Sequence, residues 1–364
     1  MDSHANQIHA VNYTIYTGKD SLHRLDQFLK ERYRGRKKFI LVDENTEQHC
    51  LPMLRANEVD ELEGAQLIRI RSGEVNKNLE TCQQIWGSLM QHGADRHSVL
   101  INLGGGVICD MGGFAAATFK RGIDFIHVPT TLLAQIDASV GGKLGIDFNS
   151  LKNQIGLFKE PRAVFVYSYF LNTQTERQRR SGFAEGVKHA LIWEDIIWET
   201  IQSYDMDDAR AWPGRIALAI KIKNQIVSRD PHENGLRKIL NFGHTIGHAL
   251  ETYALQSNAL PLSHGEAVAI GLMCETYLSH KVLELPIADL DHITNFLKTH
   301  FPYYAIESFD LPRLMEIMET DKKNFGGGIN FTLLKEVGNA KIDQSASKQL
   351  IKESLDYYTA QFSS

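Results

Sequence analysis

The sequence predicts an α/β N-terminal domain built on a parallel sheet, followed by an all-α, mainly helical C-terminal domain. Three observations predict it. Short apolar runs alternate with segments of helical spacing through the first half. From about Thr175 onward helical spacing takes over. At 364 residues the chain is too long for one ordinary core, and suits two domains of roughly 150 residues each. The boundary is expected near Asn172–Gln174, giving domains 1–173 and 174–364.

Lys38–Asp43 (KFILVD) is a short apolar run that ends in an acid and reads as a strand, and Gln66–Arg71 (QLIRIR) alternates as a half-buried strand does. Leu79–His92 has helical spacing, with Ile85, Trp86, Leu89 and Met90 on one face. Ser98–Leu103 (SVLINL) reads as a buried strand running straight into Gly104-Gly105-Gly106, and Ile123–Val128 as another, closed by Pro129. Strands separated by helix-length patterns imply βαβ units, and such sheets bind ligands at the carboxyl ends of their strands. In the second half, helices are expected over Phe183–Tyr204, Ile216–Val227, Leu236–Tyr253, Glu266–His280 and Ile287–His300. There is no internal repeat and no low-complexity segment.

Composition excludes several functions. Apolar residues make up 43% and charged residues 23%, as in ordinary globular proteins. A net charge of −5 argues against a general nucleic-acid partner, which needs a basic face. Cys50, Cys82, Cys109 and Cys274 lie far apart with no CxxC pair, which argues against a disulfide scaffold or a thiolate metal site and fits a reducing cytoplasm. The opening MDSHANQIHA lacks the apolar run of a secretory signal, and no stretch has the ~18 apolar residues of a membrane span.

Four segments carry chemistry. In Asn102–Phe114 (NLGGGVICDMGGF) a strand delivers three glycines to a helix start, where backbone N–H groups can approach a pyrophosphate. The spacing is not GxGxxG, so it is either a phosphate cradle or simply a tight strand-to-helix turn. In Val128–Phe158, Gly141-Gly142-Lys143 resembles a P-loop ending, but Leu144 stands where magnesium would need Ser or Thr, and Asp137 where the opening glycine belongs. Lys143, Lys152 and Asn153 could still grip an anion there. In Gly235–Glu251, His244 and His248 are four apart and share a helix face, without the Glu of HExxH. His264 in LSHGEAVAIG and Glu185 in SGFAEGVKHAL would complete two histidines and a carboxylate, a three-ligand zinc site with an open, catalytic position. The last segment, Met318–Leu333, places Lys322 and Lys323 before a glycine turn and reads by itself as a solvated hairpin.

Together and in this order, the four segments resemble the 3-dehydroquinate synthase family, over essentially the whole stretch from about Asp43 to Gly338. The resemblance implies an NAD-binding N-terminal domain, a helical C-terminal domain, a cytoplasmic homodimer, NAD and a divalent metal, usually Zn2+, with Co2+ as the alternative. It implies cofactor contacts at Asp43, Glu74, Lys77, Gly105, Gly106, Val107, Asp110, Thr130, Thr131, Leu133, Phe170 and Thr173. It implies metal ligands at Glu185, His244 and His264. Substrate contacts would be Asp137, Lys143, Lys152, Asn153, Lys188, Lys223, Arg237, Asn241, His248 and one of Lys322 and Lys323, with Arg121 reaching the partner's site.

The implied reaction converts 3-deoxy-D-arabino-heptulosonate 7-phosphate to 3-dehydroquinate and phosphate by transient oxidation, β-elimination, reduction and aldol closure. The substrate is a small, multiply anionic sugar phosphate, which explains so many basic groups in an acidic chain. The alternatives are another sugar-phosphate cyclase, a metal-dependent polyol dehydrogenase, or a non-catalytic protein on the same fold. Four departures from the family pattern lie beside the matched positions: Cys109 for glycine, Leu144 for threonine, Asp147-Phe148 for Asn-His, and Gln174 for leucine.

Overall fold

The computed structural model describes residues 6–149, 151–206, 208–256, 262–306, 309–319 and 329–363. The first elements are β1 (Asn6–His9), β2 (Thr14–Thr17), α1 (Ser21–Tyr33), β3 (Lys38–Asp43), α2 (Glu44–His49) and α3 (Leu51–Ala56). Then come β4 (Gln66–Ile70), α4 (Leu79–Gln91), β5 (Val99–Gly104), α5 (Gly106–Thr118) and β6 (Asp124–Pro129). A hairpin, β7 (Lys143–Phe148) and β8 (Leu151–Phe158), precedes β9 (Ala163–Val166). Next are α6 (Glu176–Trp193), α7 (Asp195–Gln202), α8 (Trp212–Arg229), α9 (His244–Gln256) and α10 (His264–Leu283). The chain ends with α11 (Ile287–His300), α12 (Leu311–Glu319), β10 (Asn330–Glu336), β11 (Asn339–Ser345) and α13 (Lys348–Ala360).

The chain divides into two units, Met1–Arg179 with Asp208–Ser228, and Arg180–Asp207 with Arg229–Ser364. Helix α8 thus falls in the first unit, although it lies well past the expected boundary at 173/174. Its Asn224 amide donates to the His9 carbonyl at 2.9 Å, and Lys223 reaches the Asp137 carbonyl at 2.7 Å.

In the first unit a seven-stranded sheet runs β1-β2-β9-β6-β5-β3-β4, parallel except for the antiparallel β1–β2 pair. Period-two alternation divides the side chains between two cores. Ile40, Val42, Ile101 and Ile126 pack with Leu22, Leu25 and Leu29 of α1. Phe39, Leu41, Leu100 and Phe125 pack with Ile85 and Leu89 of α4 and Met111 of α5. Each such buried side chain contributes about 1.5–3 kcal/mol. The chain passes from β3 outward to β4 and then back across to β5, so a topological switch point lies between β3 and β5. Asp43 and Gly104 end those two strands. Helix α5 can lie close to the sheet because a Cβ on Gly112 would collide with Asn102 and Leu41.

The second unit is helical, with the β10–β11 hairpin added to the all-α domain expected. Helix α10 is buried along most of its length, as a helix central to its unit must be. Two helices expected to be continuous are broken. The stretch 183–204 is interrupted at Glu194, which is extended (φ −148°). The stretch 236–253 splits into a 3₁₀ segment, Leu236–Asn241, and α9, hinged at Gly243 with φ +79°. Among the described residues no helix is long and apolar enough to cross a membrane.

Candidate active site

In the first unit, the switch point gathers much of the expected cofactor set. Gly105 stands as the N-cap of α5 in extended conformation, and Gly106 and Val107 open the helix. The N–H groups of its first turn are therefore available to an anion. Thr130, Thr131 and Leu133 follow β6, where the Thr130 N–H donates to the Gly104 carbonyl at 2.9 Å. Asp43 serves locally as a helix cap, its Oδ1 accepting from the Thr46 N–H at 2.7 Å. Phe170 is fully buried in the α1-side core, so its side chain is a packing group. Thr173 follows it and donates to the Phe170 carbonyl at 2.8 Å.

A connected polar cluster links the cofactor set with part of the substrate set. Lys77 Nζ lies 2.6 Å from Asp110 Oδ2 and 2.7 Å from Asn153 Oδ1, while Lys152 Nζ lies 3.0 Å from Glu74 Oε1. Burial works against the Lys77 charge, but Asp110 and then Glu74 outweigh it and hold the ammonium above its usual range. Asp137 sits in a π-helical turn, Ala134–Ala138, a rare geometry frequent at functional sites. Lys223 pairs with its Oδ1 at 2.8 Å. Lys143 is exposed at the start of β7, and Arg121 is exposed in left-handed conformation (φ +68°) after α5.

In the second unit, Glu185, His244 and His264 converge. Glu185 Oε1 lies 3.2 Å from His244 Nε2 and 3.1 Å from His264 Nε2. Lys188, one helical turn on, pairs with Glu185 Oε2. His248 joins the same cluster: its ligand atom and those of His244 and His264 all lie within 4.8 Å of one another. Glu185, His244 and His264 thus come together from three helices, α6, α9 and α10, with His248 beside them.

The electrostatics of this cluster follow from burial and its neighbours. Glu185 is fully buried. Burial opposes its charge, but Lys188 and then His244 hold its carboxyl well below the usual range. Burial, reinforced by Lys188, pushes His244 down to about 4. Burial also opposes charge on His264, yet Glu251 and Glu185 hold it up at about 9.

The donor set fits a divalent cation. His244 gives its Nδ1–H to the Phe242 carbonyl at 3.1 Å, so a neutral ring turns a bare Nε2 lone pair toward the Glu185 oxygen. His264 presents Nδ1 to Glu251 Oε2 at 3.2 Å, the carboxylate support typical of a metal-binding histidine. Two imidazoles and a carboxylate with an open fourth position is a catalytic donor set.

Arg237 is 1% exposed and held by its loop: Nη1 donates to the Pro231 carbonyl at 2.6 Å. Asp230 accepts the N–H groups of Asn234, Gly235 and Arg237 at 2.8–3.0 Å and shapes that loop. Asn241 donates to Glu233 at 3.2 Å. Lys322 and Lys323 lie outside the described residues.

Sequence reasoning missed Asp230, Glu251 and Glu275, the last of which accepts the Gly243 and Ile246 N–H groups. It also missed the buried use of Gln174, whose Oε1 accepts the Leu132 N–H at 2.9 Å inside the 130–133 loop. A signal existed for Glu275, a carboxylate closing the otherwise apolar run Ala267–Cys274.

Comparison with known proteins identifies the family and the fold. Residues 67–181 match the family described as 3-dehydroquinate synthase N-terminal, and residues 182–324 the one described as 3-dehydroquinate synthase C-terminal. A 3-dehydroquinate synthase of Parabacteroides distasonis is 43% identical over 346 residues, 94% of this chain and 97% of that one. Among solved structures, a 2-deoxy-scyllo-inosose synthase complexed with carbaglucose-6-phosphate, NAD+ and Co2+ superposes with a TM-score of 0.81 at 24% identity, covering 97% of this chain and 99% of that one. A 2-epi-5-epi-valiolone synthase from Streptomyces hygroscopicus with NAD+ and Zn2+ gives 0.79 at 22% identity, covering 99% and 100%. These two likenesses carry the fold.

Proposed function

The chain belongs to the 3-dehydroquinate synthase family of cyclase-type lyases, and from that premise we propose that it converts 3-deoxy-D-arabino-heptulosonate 7-phosphate to 3-dehydroquinate and phosphate in the shikimate pathway. The observation that carries the reading is the convergence of Glu185, His244 and His264 within 3.2 Å. The reaction oxidises a secondary hydroxyl to a ketone, removes the acidified proton from the adjacent carbon as phosphate leaves the carbon beyond it, restores the hydroxyl, opens the ring and closes a carbocycle by aldol addition. It has no net redox change.

Two groups are proposed to assist. NAD supplies a reversible hydride acceptor, and a divalent cation, Zn2+ or Co2+, supplies Lewis acidity to the hydroxyl being oxidised. Cofactors of these kinds accompany the two cyclases of the same fold. Glu185, His244 and His264 would hold the cation. The first turn of α5, with Asp110, Lys77 and the 130–133 loop, would hold NAD.

The remaining polar residues bind and orient the substrate. Arg237 offers a planar fork to the carboxylate. Lys143, Asn153, His248 and Arg121 of the partner would take the phosphate. Asp137, Lys188 and Asn241 would orient hydroxyls, with Lys152 and Lys223 balancing charge. The substrate's own phosphate can remove the proton that elimination requires, so no separate protein base is assigned. Catalysis on this reading is chiefly orientation and exclusion of water from the intermediates.

A homodimer in the cytoplasm completes the proposal. Among the described residues strand β8 pairs only with β7, and Ile155 and Phe158 on it, with Phe148, are exposed. Such an open edge favours pairing with a second copy. All four cysteines are free and buried, in keeping with a reducing compartment. The test is phosphate release from the heptulosonate phosphate with catalytic NAD, with and without chelator. Release that needs both NAD and metal, with no NADH accumulating, is expected. Stoichiometric NADH, or no release, overturns the assignment.

A further inference from the structure

Helices α9 and α10 exchange carboxylates as well as histidines. Helix α9 carries His244, His248 and, one turn further on, Glu251; helix α10 begins at His264 and carries Glu275 three turns later. Glu251 Oε2 lies 3.2 Å from Nδ1 of His264 on the opposite helix. In return, Glu275 accepts from two N–H groups at the start of α9, Gly243 at 2.6 Å and Ile246 at 3.0 Å. These amides flank His244. Both carboxylates are buried, Glu251 at 4% and Glu275 at 0% exposure.

We propose that Glu251 and Glu275 are positioning residues that form a reciprocal clasp, each acting from one helix on the metal-binding histidine of the other. The inference rests on the divalent-metal reading above. Glu251 acts directly: an acceptor on Nδ1 fixes the proton there, sets the ring plane and leaves the Nε2 lone pair for the cation. Glu275 acts through the backbone. The chain enters α9 through Gly243 in left-handed conformation (φ +79°), and a two-oxygen acceptor on Gly243 and Ile246 fixes that entry. The entry determines where the Phe242 carbonyl points, and that carbonyl holds Nδ1 of His244 at 3.1 Å.

Helix packing alone could bring the helices together. Gly271 lies where a Cβ would collide with the Gly243 carbonyl, and Gly247 lies close against the Ala267 backbone. Packing of that kind sets the separation of the helices but not the proton position or plane of an imidazole. The carboxylates supply the part that packing leaves open.

The experiment uses chelator-stripped protein titrated with Co2+, read by its d–d absorption and by competition with a chromophoric chelator. Wild type is compared with Glu251→Gln, Glu251→Leu and Glu275→Gln, and the thermal midpoint of each stripped protein is measured alongside. Each glutamine variant is expected to bind Co2+ roughly 10–100-fold more weakly. Glu251→Leu should be weaker still, because glutamine keeps an acceptor oxygen and leucine keeps none. The d–d spectrum should change with the affinity, and the stripped Glu251→Gln protein should melt close to stripped wild type. Unchanged affinity and spectrum in Glu251→Gln overturns the clasp even if Glu275→Gln proves too unstable to measure. Failure of wild type itself to bind Co2+ overturns the metal reading first, and the clasp with it.

Discussion

His127 shows how one residue can make stability depend on pH away from any functional cluster. It lies in β6, 2% exposed, with Asn102 donating to its Nδ1 at 3.2 Å. Burial pushes its pKa from 6.5 down to about 3. Between those values the unfolded chain binds a proton that the folded chain refuses, so stability rises with pH across that window and falls on acidification. From pH 7.5 to pH 5 this one group should remove about 2 kcal/mol of stability. Urea unfolding of wild type and His127→Gln at both pH values tests it. The pH-dependent loss should be smaller in the variant by about that amount, and equal losses would show that His127 contributes nothing. The sequence reading did not single out His127, because a histidine in an apolar strand looks like any core position. Glu185, His244 and His264, which the structure brings together, stood out in the sequence because two histidines and a carboxylate on separate helical segments form a pattern. Glu251 did not stand out, since a lone carboxylate on a helix usually marks a solvated face and only the partner helix shows otherwise, while the signal for Glu275, its place at the end of an apolar run, gave burial but not its bond partners.

At the scale of elements, periodicity located β3 to β6, α4, α8, α10 and α11 within a few residues. Ile287–His300 was expected and observed with the same ends. One of the failures comes from tertiary contact that local pattern does not encode. The break at Gly243 was missed because helical spacing runs through it, whereas the reason for the break lies on α10, at Gly271. Strands β1 and β2 carry too few apolar residues to stand out. The antiparallel β7–β8 hairpin was read as a glycine turn with lysines around it. The Gly243–Gly271 approach gives a prediction at this scale. Gly271→Ala places a methyl group against the Gly243 backbone, which has no side chain to move aside. Overpacking of this kind costs about 1–3 kcal/mol. The melting midpoint should fall accordingly, and bound metal should fall with it, because the displaced helix start carries His244. Wild-type stability with full metal content in Gly271→Ala would mean that the two helices are not held at this contact.

For the whole molecule, a net charge of −5 coexists with six basic side chains assigned to one anionic substrate. Three of them are charge-balanced locally: Lys152, Lys188 and Lys223 each pair with a carboxylate, Glu74, Glu185 and Asp137. Arg121 and Lys143 are exposed, and their placement bears on the assembly. If the β8 edge joins two copies, Ile155→Lys should set two charges against each other across that edge and yield monomers by light scattering; an unchanged dimer would place the interface elsewhere. Whether Arg121 then serves the partner's site can be decided without any image of the dimer. Arg121→Ala and Lys143→Ala should each abolish most turnover. In a hybrid dimer carrying one of each, the subunit with intact Lys143 receives the intact Arg121 of its partner, so one site is whole and the other lacks both groups. Random mixing makes half of all dimers hybrid, so co-refolded subunits should regain about one quarter of wild-type turnover. If Arg121 served its own subunit, every site would lack one group and the mixture would be no more active than its components.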